Sequence, residues 1–498
     1  MTRSLAELAE AIGIPAERSW TAIAVGGVTE DSRCLRPGDA FVAVRGHRVD
    51  GDLYVSDATA RGASAVFSER CGPDVETSTP WLQVPDSRSA LSRLAAVLNG
   101  DPTRRLHVVG VTGTNGKTTV CHLVAGLLGA AGSTVISTVS NEGRGLRAVT
   151  TPSSPLVQRI AAEALEQGRE SLVIEVSSAA LSQCRVDDVD FDVVGFTNLT
   201  HDHLDLHGDM DGYLAAKLRL FERLKATGAA VVNADDPAGA RVLAATRGGR
   251  ITFSSRREAD VRALDVRCAR EGSAFTLAIG GAWERVQLPI PGRHNVDNAL
   301  AAAGIAWSGG MHLAEIARGL SRAAVVEGRY QRFRARDGTT AVVDFAHTPD
   351  ALETMLRSLR GSFDRLVCVL GCAGDSDREK RPQMGGISGR WADVTILTSD
   401  NPKHEDPERI IEEIASGMRD GDTEERIVDR REAIRRALAL AAPGGAVLIA
   451  GKGHEPYQIV RDDFRPYRDA DVLQELGLVE GASQAESDAS TSSTCETV

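Results

Sequence analysis

Lysine is nearly missing from this chain. Of 57 basic residues, 51 are arginine and six are lysine: Lys117, Lys217, Lys225, Lys380, Lys403 and Lys452. Against such a bias, a retained lysine marks a place where arginine cannot serve. The amine is compact and titratable, whereas the guanidinium is broad, planar and always charged. Long apolar runs are also lacking: none reaches the roughly 18 residues that a helix needs to span a bilayer, which excludes a membrane-spanning helix. No basic block offsets the net charge of −12, which excludes an electrostatic nucleic-acid binder. Small anionic substrates stay open, since they need only local positive charge. Paired CxxC motifs are absent too. The eight cysteines are scattered, with Cys368 and Cys372 the closest pair, and read as buried reduced thiols in a cytoplasmic compartment. The opening MTRSLAELAEAIGIPAERSW reads as an amphipathic helix ended by Gly and Pro, and not as a signal peptide.

What is present is an alternation of strands and helices too long for one core, at 498 residues. Residues 1–100 mix short strands (AFVAV, SAVFSE, WLQV) with short helices. Residues 101–330 open with LHVVGV, a Gly-rich loop and the helix TTVCHLVAGLLGAAG; strands STVIST, SLVIEVSS, FDVVGFTNL and AAVVNA follow. That pattern predicts a mostly parallel sheet covered by helices. A β-rich stretch over 250–290 leads into PIPGRHNVDNALAAAGIA. From 331 to 480 the alternation restarts (TTAVVDFA, RLVCVLG, DVTILTSD, GGAVLIAG), predicting a second doubly wound α/β unit of dinucleotide-fold type. The Ser-, Thr- and acid-rich 481–498 reads as a disordered tail. The fold class expected is α/β in three domains.

The segment GVTGTNGKTTV, residues 110–120, follows a strand and opens a helix, as a phosphate loop must. Backbone N–H groups of Gly113, Thr114, Asn115 and Gly116 would converge on phosphate oxygens at the helix N-terminus. Lys117 would reach the β- and γ-phosphates and Thr118 would offer a hydroxyl to Mg²⁺, with Thr119 beside it. Val111 stands where the first glycine is usual. Glu175, ending SLVIEVSS, fits the strand-end carboxylate that helps hold Mg²⁺. Downstream, TNLTHDHLDLHGDMDGYLAAKLRLF carries His201, His203 and His207. They read as a zinc site, as solvated loop histidines, or as part of the magnesium chemistry; the lack of cysteines and of HExxH spacing weakens zinc.

TGTNGKTT, EVSS, TNLTHDHLDLHG and YLAAK, in that order, resemble the central ATPase domain of the Mur ligase family, and the resemblance runs through nearly the whole chain. It implies that Lys217 is carbamylated by CO₂, and that the carbamate works with Glu175 and His203 around Mg²⁺. Carbamylation needs a neutral nucleophilic amine, which arginine lacks. Lys225 has no motif and reads as a surface residue. TEDSRCLRPGDAFVAVRGHRVDG, residues 29–51, is similar to the UDP-sugar-binding domain of the tripeptide-forming branch. The likeness implies uridine contacts from Ser32 and the His47 segment. Thr150, Thr151, Ser177, Gln183 and Arg185 would hold UDP-MurNAc-dipeptide, although Ala179 stands where the family has histidine. Asn295 and Asn298 would lie near adenine; Arg329 at the hinge, Asp344 and His347 would approach the nucleotide, with Gln331 where Glu is common.

The resemblance implies an ATP-dependent ligase of cell-wall precursor synthesis, acting on small molecules as a monomer, that forms an acyl phosphate and passes it to an amino acid. VLIAGKGHEPYQ supplies Gly451, Lys452 and Glu455 to the acceptor site, with Asp400, Asn401, Pro402 and Lys403 of DNPK. The family's diaminopimelate enzymes show GDRD and DNPR; this chain has Ser376 and Lys403 at the two arginines, and Arg378 is a candidate to replace the first. The default acceptor is meso-diaminopimelate. The alternative is a paralogue adding L-lysine or another amino acid, in specialised metabolism. A kinase or GTPase-like switch is disfavoured by the flanking domains, a non-catalytic binder by retention of Lys117, Glu175 and Lys217, and a folate polyglutamate ligase by the N-terminal domain.

Overall fold

The computed structural model describes residues 2–46, 49–72 and 78–481. The expectation of a disordered tail falls almost wholly on residues outside this set, as does His47.

The N-terminal segment forms helix α1 (Leu5–Ala11), which starts at a reciprocal capping box between Ser4 and Glu7. It packs with a parallel sheet of β1 (Val28–Thr29), β2 (Ala40–Ala43), β3 (Ala65–Ser68) and β4 (Trp81–Gln83), in that spatial order. Leu5, Leu8, Val42, Phe67 and Leu94, the last from α2 (Ser87–Leu98), form its core.

The central sheet has nine strands. Its parallel part holds β5 (His107–Thr112), β6 (Ser133–Ile136), β7 (Ser171–Glu175), β8 (Phe191–Phe196), β9 (Leu224–Asn233) and β10 (Gly249–Ser254). The antiparallel run β11 (Val261–Cys268), β12 (Ser273–Ile279) and β13 (Ala282–Leu288) extends one side. The order is β13-β12-β11-β10-β9-β8-β5-β7-β6. β5 lies in the interior of the sheet, and its HVVGVT run is apolar because both faces are covered. One face carries α3 (Lys117–Leu128) and α5 (Arg293–Ser308), and α4 (Met210–Glu222) also packs on β5. A Cβ on Gly110 would sit 2.6 Å from the Phe191 ring, so this strand position needs glycine.

The third sheet is built from β14 (Gln331–Arg334), β15 (Thr340–Asp344), β16 (Leu366–Leu370), β17 (Val394–Leu397), β18 (Glu424–Arg426), β19 (Ala446–Ala450) and β22 (Val479–Glu480). Its order is β18-β17-β16-β19-β15-β14-β22, parallel except where β14 meets its neighbours. Helices α6 (Pro349–Arg360), α7 (Lys380–Trp391) and α8 (Arg430–Ala441) cover it. A hairpin of β20 (Tyr457–Val460) and β21 (Asp463–Pro466) stands beside it. The α/β class expected from the chain is observed, with its expected strands; β1, β14, β18, the β20–β21 hairpin and β22 are additional to them.

One expectation needs correction. Cys121, Cys184, Cys368 and Cys372 are buried free thiols, but Cys34, Cys71 and Cys268 are exposed. Lys225 is 28% exposed, and its amine pairs with Asp192 Oδ1 at 2.8 Å, because β8 and β9 run side by side. Among the described residues no helix is long and apolar enough to cross a membrane.

Candidate active site

The loop between β5 and α3 is shaped by two glycines with left-handed backbone, Gly113 (φ +150°) and Gly116 (φ +85°). A side chain on Gly113 would strike Thr197 Oγ1, and one on Gly116 would strike Asn298. The loop is held from the end of β8. Thr114 N donates to Asn198 O at 2.9 Å and Asn115 N to Asn198 Oδ1 at 2.8 Å. Lys117 Nζ donates to Thr114 O at 2.6 Å, curling back over the loop, and burial lowers its pKa.

Thr118 Oγ1 donates to Glu175 Oε2 at 2.9 Å, and Glu175 also accepts from Thr138 N and Oγ1 at 3.1 and 3.2 Å. Arg329 Nη2 donates to Thr118 Oγ1 at 3.1 Å while its guanidinium lies 4.4 Å over the Phe345 ring. With Asn115, Thr119, His203, Asn295, Asn298, Asp344 and His347, these residues line one cavity of about 330 Å³. Asn298 Nδ2 donates to Asn295 Oδ1 at 3.1 Å on α5, fixing both amides on one side of it. Asp344, at the end of β15, accepts from Tyr330 N at 2.8 Å, and burial pushes its carboxyl up to about 6 despite Arg329. His347 Nδ1 meets Phe345 O at 2.8 Å, and burial lowers its pKa to about 4.

Lys217 is 1% exposed on α4. Its amine donates to Gly113 O at 2.7 Å and rests 4.1 Å over the Tyr213 ring, one helical turn earlier. Burial, with the Lys117 charge nearby, holds its pKa well below the ordinary lysine value. His203 has a left-handed backbone (φ +54°), and its Nε2 lies 3.4 Å from Asp202 Oδ2. The three histidines diverge: His207 meets Ser178 Oγ at 2.9 Å and stacks on Tyr213, whereas His201 turns to Asp377 of the third domain at 3.6 Å. Among the described residues, no three His, Cys, Asp or Glu side chains are grouped to hold a metal. The divergence removes the three-histidine zinc reading, while His203 keeps a side chain 54% exposed.

Toward the first domain, Thr151 Oγ1 donates to Glu175 O at 2.7 Å and accepts from Ser177 N at 3.1 Å, with Thr150 Oγ1 3.3 Å from Thr138 Oγ1. Arg185 Nη1 donates to Thr151 O at 2.6 Å and Nη2 to Gln183 Oε1 at 2.7 Å. Gln183 and Arg185 line a cavity of about 430 Å³ with Glu30 and Arg88 of the first domain. Ser32 is absent from that lining. It is buried, and its hydroxyl bonds to Asp57, lowering that carboxyl's pKa.

On the third domain, Asn401 Nδ2 donates to Glu455 Oε2 at 2.8 Å, and Lys452 Nζ donates to Asn401 Oδ1 at 2.9 Å and Glu455 Oε2 at 3.1 Å. Burial raises the Glu455 pKa, against the Lys452 charge. Gly451 (φ +107°) abuts Asp400: a Cβ there would lie 2.6 Å from Asp400 Oδ2. Ser376 makes no hydrogen bond to this cluster. Lys403 has a left-handed backbone (φ +50°) and donates from N to Ile459 O at 3.1 Å, after Pro402. It lines a separate cavity of about 820 Å³ beside the β20–β21 hairpin. Arg378, half exposed, pairs with Glu413.

Comparison with known proteins accounts for this arrangement. Descriptions of the Mur ligase middle domain, the Mur ligase glutamate ligase domain and the Mur ligase family catalytic domain match residues 111–306, 328–453 and 24–98. The chain is 44% identical over 469 residues to the UDP-N-acetylmuramoyl-L-alanyl-D-glutamate–2,6-diaminopimelate ligase of Xanthomonas campestris, covering 92% of this chain and 94% of that protein. The protein of the same name from Syntrophomonas wolfei is 40% identical over 466 residues, covering 91% and 94%. The chain belongs to the Mur ligase family. A solved structure of a 2,6-diaminopimelate ligase of this kind superposes with a TM-score of 0.66 at 31% identity, covering 95% of this chain and 98% of that one. The MurF ligase of Thermotoga maritima in complex with ADP shares the fold at 21% identity, with a TM-score of 0.61 over 86% of this chain and 94% of that one.

As a Mur ligase, the chain is an ATP-dependent ligase. Sequence reasoning passed over several residues of its site. Asn198 braces the phosphate loop, Tyr213 separates Lys217 from His207, and Asp202 faces His203. Tyr213 was recoverable from the sequence, because Y-L-A-A-K places it four residues before Lys217 on one helical face. Asn198 lies within TNLTHDHLDLHG, whereas Asp350, whose Oδ2 accepts from Asn115 Nδ2 at 3.0 Å, carries no local signal.

Proposed function

We propose that this Mur ligase joins meso-diaminopimelate to the D-Glu γ-carboxylate of UDP-N-acetylmuramoyl-L-alanyl-D-glutamate, consuming ATP, in peptidoglycan precursor synthesis. The observation that carries the reading is the pairing of a phosphate loop closed by Arg329 with a buried Asn401–Lys452–Glu455 cluster on the facing domain. The names of the relatives at 40% and 44% identity support diaminopimelate as acceptor.

The carboxylate oxygen attacks the γ-phosphorus, the bond to the ADP oxygen breaks, and an acyl phosphate results. The acceptor amine then attacks the acyl carbon, loses a proton, and phosphate leaves. Lys117 and Arg329 would hold the phosphates and oppose charge as it shifts, by position and electrostatics rather than covalent chemistry. Thr118 and Glu175 present hydroxyl and carboxylate oxygens side by side, a donor set that suits Mg²⁺. When bound, Mg²⁺ supplies charge neutralisation on the phosphates. The depressed basicity of the Lys217 amine favours its carbamylation, which would turn it into an oxygen donor beside His203. Glu455 and Asn401 would receive the amino-acid end of the acceptor. Contacts from Tyr457 Oη to Glu142 Oε1 at 2.8 Å and from Asn115 to Asp350 join the domains across the reaction space, where water must be excluded.

The test is ATP-dependent phosphate release with UDP-MurNAc-dipeptide and a panel of single amino acids. Turnover with meso-diaminopimelate well above every other acid is expected. Turnover with a different acid alone would overturn the acceptor, and none with any acid would overturn the donor.

A further inference from the structure

Asp297 has no task in the reaction described above, yet it lines the same cavity as the phosphate loop. It stands on α5, one residue before Asn298. Asn298 faces the phosphate loop, because a side chain on Gly116 would strike its Oδ1. One residue is about 100° of helical turn. Asp297 is therefore directed away from the loop, and it lies beside Ser255, just past the end of β10. Its Oδ1 is buried and has no hydrogen-bond partner among the described residues. Two nearby arginines are turned elsewhere: Arg293 Nη1 donates to Ser255 O at 3.2 Å, and Arg257 Nε meets Asp235 Oδ1 at 3.2 Å. Burial pushes the Asp297 carboxyl up to about 6. A buried acceptor without a donor is costly, so the fold alone gives no reason for it.

Its place along the sheet indicates what supplies the donor. β5, β8, β9 and β10 are parallel neighbours, so their C-terminal ends open on one side, where α/β sheets bind ligands. The phosphate loop leaves β5. Three inter-strand steps of about 4.8 Å put the end of β10 about 14 Å away across the sheet. A nucleoside triphosphate whose phosphates occupy the loop reaches that far with its base, while its ribose falls over the ends of β8 and β9. Asn233, ending β9, and Phe253, on β10, line the cavity on that side. Phe253 offers an apolar surface. Asn233 is already engaged, with Nδ2 donating to Thr197 O at 2.7 Å and Oδ1 accepting from Asp235 N at 2.9 Å. Of the polar pair Asn233 and Asp297, only Asp297 has an acceptor oxygen left over.

We propose that Asp297 selects the nucleobase, its carboxylate accepting a hydrogen bond from the exocyclic amine of the adenine of ATP. Only ATP use is required for this, and not the identity of the amino acid added. An exocyclic amine donates to a carboxylate. The ring carbonyl that hypoxanthine or guanine carries at the same position turns an oxygen toward it, so two acceptors meet and neither is satisfied. Discrimination of this kind is strong, because the wrong base leaves a buried polar group unpaired. Asp297 makes and breaks no bond in the reaction and takes no proton.

The test is isothermal titration calorimetry of the full-length protein with Mg²⁺ and nucleotide, without dipeptide or amino acid. Wild type is expected to bind ATP about 10-fold or more tightly than purine riboside triphosphate, which lacks the exocyclic amine, and inosine triphosphate more weakly than either. Asp297→Ala should weaken ATP by about 10-fold and leave purine riboside triphosphate within about threefold, so that the preference nearly vanishes. Asp297→Asn keeps an acceptor for the amine and adds a donor for the carbonyl. In that variant ATP should stay within about threefold while inosine triphosphate gains about 10-fold. It decides alone if the alanine variant does not fold. Equal losses for ATP and purine riboside triphosphate in Asp297→Ala would assign the carboxylate to the ribose or to the fold and overturn the proposal. An unchanged ATP affinity in Asp297→Ala would overturn it too, as would inosine triphosphate bound no better by Asp297→Asn than by wild type. A wild-type protein that binds none of the three would instead remove the nucleotide site itself, and this proposal with it.

Discussion

Arg329 Nη2 donates to Thr118 Oγ1 at 3.1 Å, so the hinge into the third domain completes the phosphate loop of the second. Nucleotide binding and domain placement are thereby one event. Arg329→Met should lower kcat/KM by about 100-fold, and Arg329→Lys should not restore it, since an amine cannot both reach Thr118 and cover the Phe345 ring. Steady-state kinetics on both variants check this; restoration by lysine would show that charge alone suffices.

Lys217→Arg should abolish ligation without unfolding the protein, because a guanidinium cannot be carbamylated. Lys217→Ala should regain part of its activity with short-chain carboxylic acids, which place an anion where the carbamate would stand. Phosphate-release assays with circular dichroism controls decide it. Full activity in the arginine variant would refute carbamylation.

The Asp344 carboxyl ionises near 6 in the folded protein, above the 3.8 of an ordinary aspartate. The folded state therefore holds this proton more tightly than the unfolded chain does. The resulting stabilisation is present below about pH 4 and lost as pH rises through about 6. Asp344→Asn imitates the protonated form. The variant's stability relative to wild type should rise between those limits and then level off, as read from urea unfolding across the range. A constant difference would contradict the burial of this carboxyl.

Lys403→Met should raise KM for meso-diaminopimelate by about 10- to 100-fold, the scale of one charge-assisted contact, and leave KM for UDP-MurNAc-dipeptide unchanged. Initial-rate measurements with each substrate varied test it. An equal change in both would assign Lys403 a structural role in its left-handed turn.

Arg430 and Asp469 are 1% and 0% exposed and meet through Nε–Oδ1 and Nη2–Oδ2 contacts of 2.8 Å each. Arg430→Ala leaves Asp469 buried and uncompensated, and should cost about 3–5 kcal/mol. Urea denaturation measures the loss. A change under about 1 kcal/mol would mean that Asp469 finds water or another partner.

Much of the site was legible in the chain because the chemistry repeats locally. The phosphate loop, the Tyr213–Lys217 helix face and the AGKGHE turn each bring their groups together within a few residues. The Lys452–Glu455 contact is an example. The burial of Ser32 beside Asp57 comes from the packing of the first domain and is not written in its own motif. Asn198 and Asp202 lie inside TNLTHDHLDLHG, but that segment does not show which strand or loop they meet, and nothing adjacent gives Asp350 a role. Each acquires one only where another strand or domain arrives.

The scarcity of lysine was itself sequence information, and it marked Lys117, Lys217, Lys380 and Lys452 before any geometry was known. Local periodicity and turn chemistry likewise determined the strands, the phosphate loop and the α/β class, since both depend on near neighbours. Which lysine amines are paired was decided by the tertiary structure alone. Lys452 is neutralised by Glu455 and Lys225 by Asp192. Pairing depends on which distant segments pack together and on how far water is excluded from between them. Neither quantity is written in the neighbourhood of a single residue.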